Sequence, residues 1–151
     1  MLRVTKLTDY ATVVLTVLAA SRGDVLSATE IAERAGLEAT TVSKVLKPLA
    51  QAALVEGFRG AHGGYRLARP ARDVSLIEVI EAMEGPLAVT ECSVHEGQCG
   101  IESSCGLRRN WRRINDVIAQ SLRGITLQDM LEPEEDAGAS RRRIDLRLAN
   151  A

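Results

Sequence analysis

The sequence predicts a mainly α fold with one small β-hairpin, arranged as a winged helix-turn-helix and followed by a long helix. Three observations carry that expectation. Apolar residues recur at spacings of three and four in successive segments of the first half. That period breaks once, in the glycine-punctuated stretch Leu54 to Ala68. A later segment, Leu107 to Leu122, restores it as a narrow apolar seam between arginines.

Each element follows in order. Lys6 to Ala20 places Leu7, Tyr10, Ala11, Val14, Leu15 and Leu18 on one helix face, and "SRGD" ends it with Gly23 in the stop position. In "SATE", Ser27 caps a second short helix and Glu30 completes a capping box, with Gly36 closing it. The third helix starts near Glu38 to Thr40, with Val42, Val45, Leu46, Leu49 and Ala53 as its buried stripe. Pro48 removes a backbone donor there, but the apolar period runs across it. Leu54 to Phe58 and Gly64 to Ala68 then read as two strands around the turn "RGAHGG". Ser75 and Glu78 form a second capping box for a helix with apolar face Leu76, Val79, Ile80 and Met83, stopped by Gly85-Pro86. Leu107, Trp111, Ile114 and Ile118 make the seam of the long helix, a spacing suited to pairing with another helix. "TLQDML" adds a last helical turn, and residues beyond Pro133 are polar, aperiodic and expected to be disordered. The organisation expected is a winged helix-turn-helix over 1–85, a cysteine loop over 86–106, a dimerisation helix and turn over 107–132, and a tail over 133–151.

Composition narrows the function. The chain has 151 residues, 46% hydrophobic and 26% charged, with only one Trp, two Tyr and one Phe, so its core rests on aliphatic side chains. No apolar run reaches the length of a membrane span. Thr8, Asp9, Tyr10 and Thr12 interrupt the N-terminal apolar stretch, which argues against a signal peptide and for a cytoplasmic protein. The net charge of −1 conceals segregation: Arg34 to Arg72 holds seven Lys or Arg against two Glu, whereas Asp73 to Cys105 holds seven acidic residues and no Lys or Arg. A basic block of this kind points to an anionic partner. In a winged helix-turn-helix the third helix enters the major groove of double-stranded DNA. Here it would present Thr40, Thr41, Ser43, Lys44 and Lys47. The wing would carry Arg59 and His62 at its tip, with Arg59 suited to a narrow minor groove, and Arg66 and Arg69 placed for phosphates. No paired catalytic carboxylates, phosphate-cradling glycine loop or nucleophile with a plausible base is evident, so an enzyme is not expected.

All three cysteines, Cys92, Cys99 and Cys105, fall within "ECSVHEGQCGIESSCG". Three thiols cannot all pair within one chain, and in a reducing compartment clustered thiols bind metal or sense redox state. Zinc favours closer pairs, while wider spacing in a flexible loop suits an iron–sulfur cluster. The residues alone leave cluster, zinc and thiol switch open.

The opening "KLTDYATVVL", the block "IAERAGLEATTVSKVLKPLAQAALVEGFRGAHGGYRLA" and the pattern C-x6-C-x5-C together resemble the Rrf2 family of bacterial transcription regulators, over about residues 1 to 132. "RVTKLTDYATVVL" and "GITLQDML" are similar to the subgroup that regulates the SUF pathway of iron–sulfur assembly. The resemblance implies a homodimer on palindromic DNA whose [2Fe-2S] or [4Fe-4S] cluster state controls DNA affinity. Cys92, Cys99 and Cys105 match the family's ligand cysteines. Some members add a histidine three residues after the last cysteine, but Arg108 stands there and cannot ligate. Others use a carboxylate near the N-terminus of the opposing subunit, which makes Asp9 the expected fourth ligand and His95 its local rival.

Overall fold

A computed structural model describes residues 3–90, 100–101 and 105–132. Six α-helices, one 3-10 turn and a two-stranded antiparallel hairpin are present among the described residues. Helix α1 (Lys6–Ala20) starts at Thr5, whose hydroxyl accepts the Thr8 amide at 3.3 Å. Its inward face is Thr8, Ala11, Val14, Leu15 and Leu18. Leu7, expected on that face, is 42% exposed, because the stripe rotates toward Thr8 at the first turn. Helix α2 (Ala28–Ala35) has the capping box expected of Ser27 and Glu30, and Gly36 ends it in the left-handed region at φ 64°.

Helix α3 (Ala39–Gln51) buries Val42, Val45, Leu46 and Leu49 and runs through Pro48. Ala53 does not join that stripe. The helix ends at Ala52, Ala53 turns to φ 55° and is exposed, and Leu54 takes the interior place. Strands β1 (Val55–Phe58) and β2 (Gly64–Leu67) pair from Val55↔Leu67 to Phe58↔Gly64. Each is one residue shorter than expected, although the Ala68 amide still donates to the Leu54 carbonyl at 3.1 Å.

The hairpin has a third partner. Leu26, just before α2, bridges Tyr65 through reciprocal N–H···O bonds of 2.9 and 2.7 Å. Gly64 makes this approach possible, since a Cβ there would overlap the Leu26 carbonyl. The wing is thus stitched to the helix-turn-helix.

After a 3-10 turn at Ala71–Asp73, helix α4 (Leu76–Glu84) begins in the capping box of Ser75 and Glu78. It buries Ile77, Val79 and Ile80, so the apolar face is wider than expected and includes Ile77. Helix α5 (Arg108–Arg123) buries only Asn115 and Ala119, and α6 (Leu127–Leu131) buries Leu127. The link between α5 and α6 is sewn to the start of α4, with the Leu76 amide donating to Ile125 and the Leu127 amide donating to Val74, both at 2.8 Å. Asn115 Oδ1 accepts the Val89 amide at 3.0 Å, which fixes α5 against the chain leaving α4. One aliphatic core joins α1, α2, α3, the hairpin root, Val74, Val79 and Leu127.

Candidate nucleic-acid interface and cysteine site

Burial of its four aliphatic residues turns the polar side of α3 outward. Thr40, Ser43, Lys44 and Lys47 are exposed and Thr41 is half-buried. The Ser43 hydroxyl donates to the Ala39 carbonyl at 3.0 Å, which leaves its oxygen as an acceptor. The wing tip presents Arg59 and His62 to solvent. Gly60 turns it at φ 106°, and the Gly63 amide closes back on the Gly60 carbonyl at 3.0 Å.

The two remaining arginines expected at phosphates are engaged within the protein. Arg66 pairs with Glu56 at 3.1 Å, directly across the hairpin, and lies over the Phe58 ring at 4.8 Å. Arg69 pairs with Glu78 at 2.8 Å and donates to the Asp73 carbonyl at 3.1 Å. Burial works against the charged form of Glu78, but the Ser75 amide and the Arg69 guanidinium outweigh it and hold the carboxyl below its ordinary value. Among the described residues the ion pairs engage Arg66, Arg69 and Arg72, and none engages Lys44, Lys47 or Arg59. On α3 and the wing tip, Lys44, Lys47 and Arg59 are therefore cations outside these ion pairs and exposed toward a polyanion. The Glu56–Arg66 pair was readable from strand register, and the Leu26 bridge was not, because no local pattern announces a pairing across 39 positions.

Cys105 is a half-buried free thiol immediately before α5. It lines a cavity of about 540 Å³ with Gly106, Arg108, Arg109, Asn110 and Arg112. Cys92, Cys99 and His95 lie outside the described residues. Asp9 is exposed in the first turn of α1. Among the described residues no three metal-ligating side chains gather. On α5, Leu107, Trp111, Ile114 and Val117 are 58%, 37%, 43% and 42% exposed, while Ile118 is half-buried. The seam therefore faces away from the chain's own core. Among the described residues no helix is long and apolar enough to cross a membrane.

Comparison with known proteins fits this geometry. Residues 4–133 match the Rrf2 family model, described as an iron-dependent transcriptional regulator. The protein aau3 of Rhizobium meliloti is 36% identical over 132 residues, covering 87% of this chain and 86% of aau3. The structure of T. potens IscR superposes with a TM-score of 0.64 at 31% identity, covering 93% of both chains. That of CymR, the global cysteine regulator of B. subtilis, gives 0.66 at 28% identity, covering 87% of this chain and 97% of CymR. The family consists of regulators rather than enzymes, in line with the lack of a catalytic constellation in the sequence. With a winged helix-turn-helix head, outward cations on α3 and this match across most of its length, the chain belongs to the Rrf2 family of DNA-binding transcriptional regulators.

Proposed function

We propose that this regulator is a homodimeric repressor of iron–sulfur assembly genes whose affinity for palindromic DNA follows the state of an iron–sulfur cluster. The observation that carries this reading is the cysteine triplet C-x6-C-x5-C, whose last member, Cys105, is an unpaired thiol at the root of α5. Three thiolates and one carboxylate are a donor set for such a cluster, so Cys92, Cys99, Cys105 and Asp9, the last from the opposing subunit, would hold it. A bound cluster supplies an oxidant- and iron-sensitive crosslink between the loop and the reading head.

The chain's own residues do the rest. Lys44, Lys47 and Arg59 engage phosphates and groove, and Thr40, Thr41 and Ser43 meet base edges. Leu107, Trp111, Ile114 and Ile118 of two copies pack together and fix the distance between two α3 helices. A shift in the relative orientation of the heads is then a differential contact with a palindrome. The test is purification without oxygen followed by absorption spectroscopy and iron and sulfide analysis. A coloured protein that loses its cofactor in Cys92→Ser, Cys99→Ser and Cys105→Ser supports the reading, and uptake by those variants at the wild-type level rejects it. A cluster-free regulator answering oxidants or nitric oxide through its thiols is the second reading, favoured by Cys105 standing as a free, half-buried thiol beside a cavity. It requires a colourless anaerobic protein and a reversible disulfide.

A further inference from the structure

Helix α5 turns its apolar seam outward, so its attachment to the head rests on a narrow inner face. That face buries Asn115 and Ala119, at 9% and 5% exposure, where α5 packs on α4. Aliphatic contacts between helices tolerate sliding and rotation, whereas a buried amide bonds in one arrangement only. Asn115 makes such a bond: its Oδ1 accepts the Val89 amide at 3.0 Å. An aliphatic residue would be buried there at lower cost, so the amide is explained by the geometry it imposes.

The Val89 end of this tie belongs to the head. The chain leaving α4 is held to its own helix, with the Leu87 amide donating to Glu81 Oε1 at 3.5 Å. It is held to α1 as well, since Glu84 Oε1 accepts the Thr5 amide at 2.7 Å and the Thr8 hydroxyl. Helix α1 packs in turn on α3. The far end of α5 is fixed separately, by the backbone bonds that join Ile125 and Leu127 to Leu76 and Val74. These two attachments, about 12 Å apart by helical rise, set the direction of α5. The tie at Asn115 also sets its rotation. Ile114 of the seam stands about 100° round the helix from Asn115, so fixing one side chain fixes where the other points.

We infer that Asn115 is a positioning residue that sets the half-site spacing this regulator accepts, by locking the rotation and tilt of α5 against the head. The inference rests on the dimeric, DNA-binding reading proposed above and on no cofactor. Two copies joined through their seams hold two α3 helices at a separation fixed by the angle between each head and its α5. Each base pair added between half-sites moves one of them by about 3.4 Å and turns it by about 35°. A dimer with both ties closed meets one spacing. To follow another, a head must turn on its α5, and the Asn115–Val89 bond must open.

The test uses the full chain and a duplex that the wild-type chain selects from a random library. Copies of that duplex carry one base pair more or fewer between the half-sites, and a further duplex carries a single half-site. In wild type, the altered spacings are expected to bind about tenfold or more weakly than the selected one. Opening one tie accounts for about fivefold of that loss, the scale of a net hydrogen bond. In Asn115→Leu, which keeps the volume and removes the acceptor, the penalty should shrink by that factor, with affinity for the single half-site unchanged. Asn115→Ala leaves the Val89 amide to water and should behave alike. Asn115→Asp keeps an acceptor in the same shape and should restore the wild-type penalty. A spacing penalty equal in all four proteins overturns the inference, and so does an Asn115→Asp protein as tolerant as Asn115→Leu. Failure of the dimer reading looks different: sedimentation shows a monomer, or the selected duplex lacks two-fold symmetry, and the inference falls with it.

Discussion

The reading head and the α5 arm are built to different standards. In the head, α1, α2 and α4 each begin at a residue whose side chain accepts a backbone amide, and their aliphatic faces close on one another. Helix α5 begins at Leu107 with no side-chain cap, carries Arg108, Arg109, Arg112 and Arg113 near its positive end, and turns four large apolar residues toward solvent. Helix α3 also lacks a side-chain cap but buries four aliphatic residues, so what sets α5 apart is its exposed apolar face, which on the proposed reading packs against a second copy. On that reading, the contrast separates stability, which resides in the head, from assembly, which resides in the arm.

That separation can be broken by mutation. Leu46→Ala, in the middle of the head's core, should cost about 2–5 kcal/mol and lower the melting temperature of the whole domain. Trp111→Ala should cost the isolated chain less than about 1 kcal/mol, as for a surface site, yet shift sedimentation toward the monomer. Equal losses of melting temperature in both variants would erase the distinction.

Gly64→Ala acts at the join of wing and head. Its methyl group overlaps the Leu26 carbonyl, so we expect loss of the Leu26–Tyr65 bonds and at least tenfold weaker DNA binding, with α1 to α3 retained by circular dichroism. Lys44→Ala and Lys47→Ala should each weaken binding across all sequences and reduce the salt slope by about 0.9, measured by titration at several salt concentrations. Arg66→Ala should do less, because Glu56 already holds that guanidinium.

The smallest effect is a pH dependence. The folded carboxyl of Glu78 titrates below its ordinary value of 4.5, so its stabilising contribution is present above that pH and fades as pH falls through the lowered folded value. Glu78→Gln should flatten the acid limb of the stability curve relative to wild type, read by denaturant unfolding between pH 5 and roughly pH 2. An unchanged acid limb would mean that the Ser75 and Arg69 contacts contribute nothing in solution.

Local chemistry made most of the head legible in advance. Ser27 with Glu30, Ser75 with Glu78 and the glycines of the turn act on near neighbours, so spacing alone reveals them. Ala53 was misassigned because a helical period cannot register where the backbone leaves the helix, and Leu54 was the residue that went inside. Leu7 fell off the expected face for the converse reason: a buried threonine with a distant carboxylate partner took its place. Charge counts along the sequence do not show that Glu56 and Glu78 fold against Arg66 and Arg69, since those pairings depend on the hairpin and on the start of α4. The contacts that organise the site, Leu26 with Tyr65 and Glu84 with Thr5 and Thr8, join residues tens of positions apart and carry no periodic signature.

The Leu26–Tyr65 stitch gives the wing the mechanics of a cantilever. Its root is clamped on two sides, by β1 and by the chain entering α2, so bending is confined to residues 59–63 beyond the last strand pair. Insertions or deletions in those few residues change how far the tip extends along a duplex without re-aiming α3. Reach and aim are therefore independent parameters of this head, and an engineer could lengthen one while leaving the other untouched.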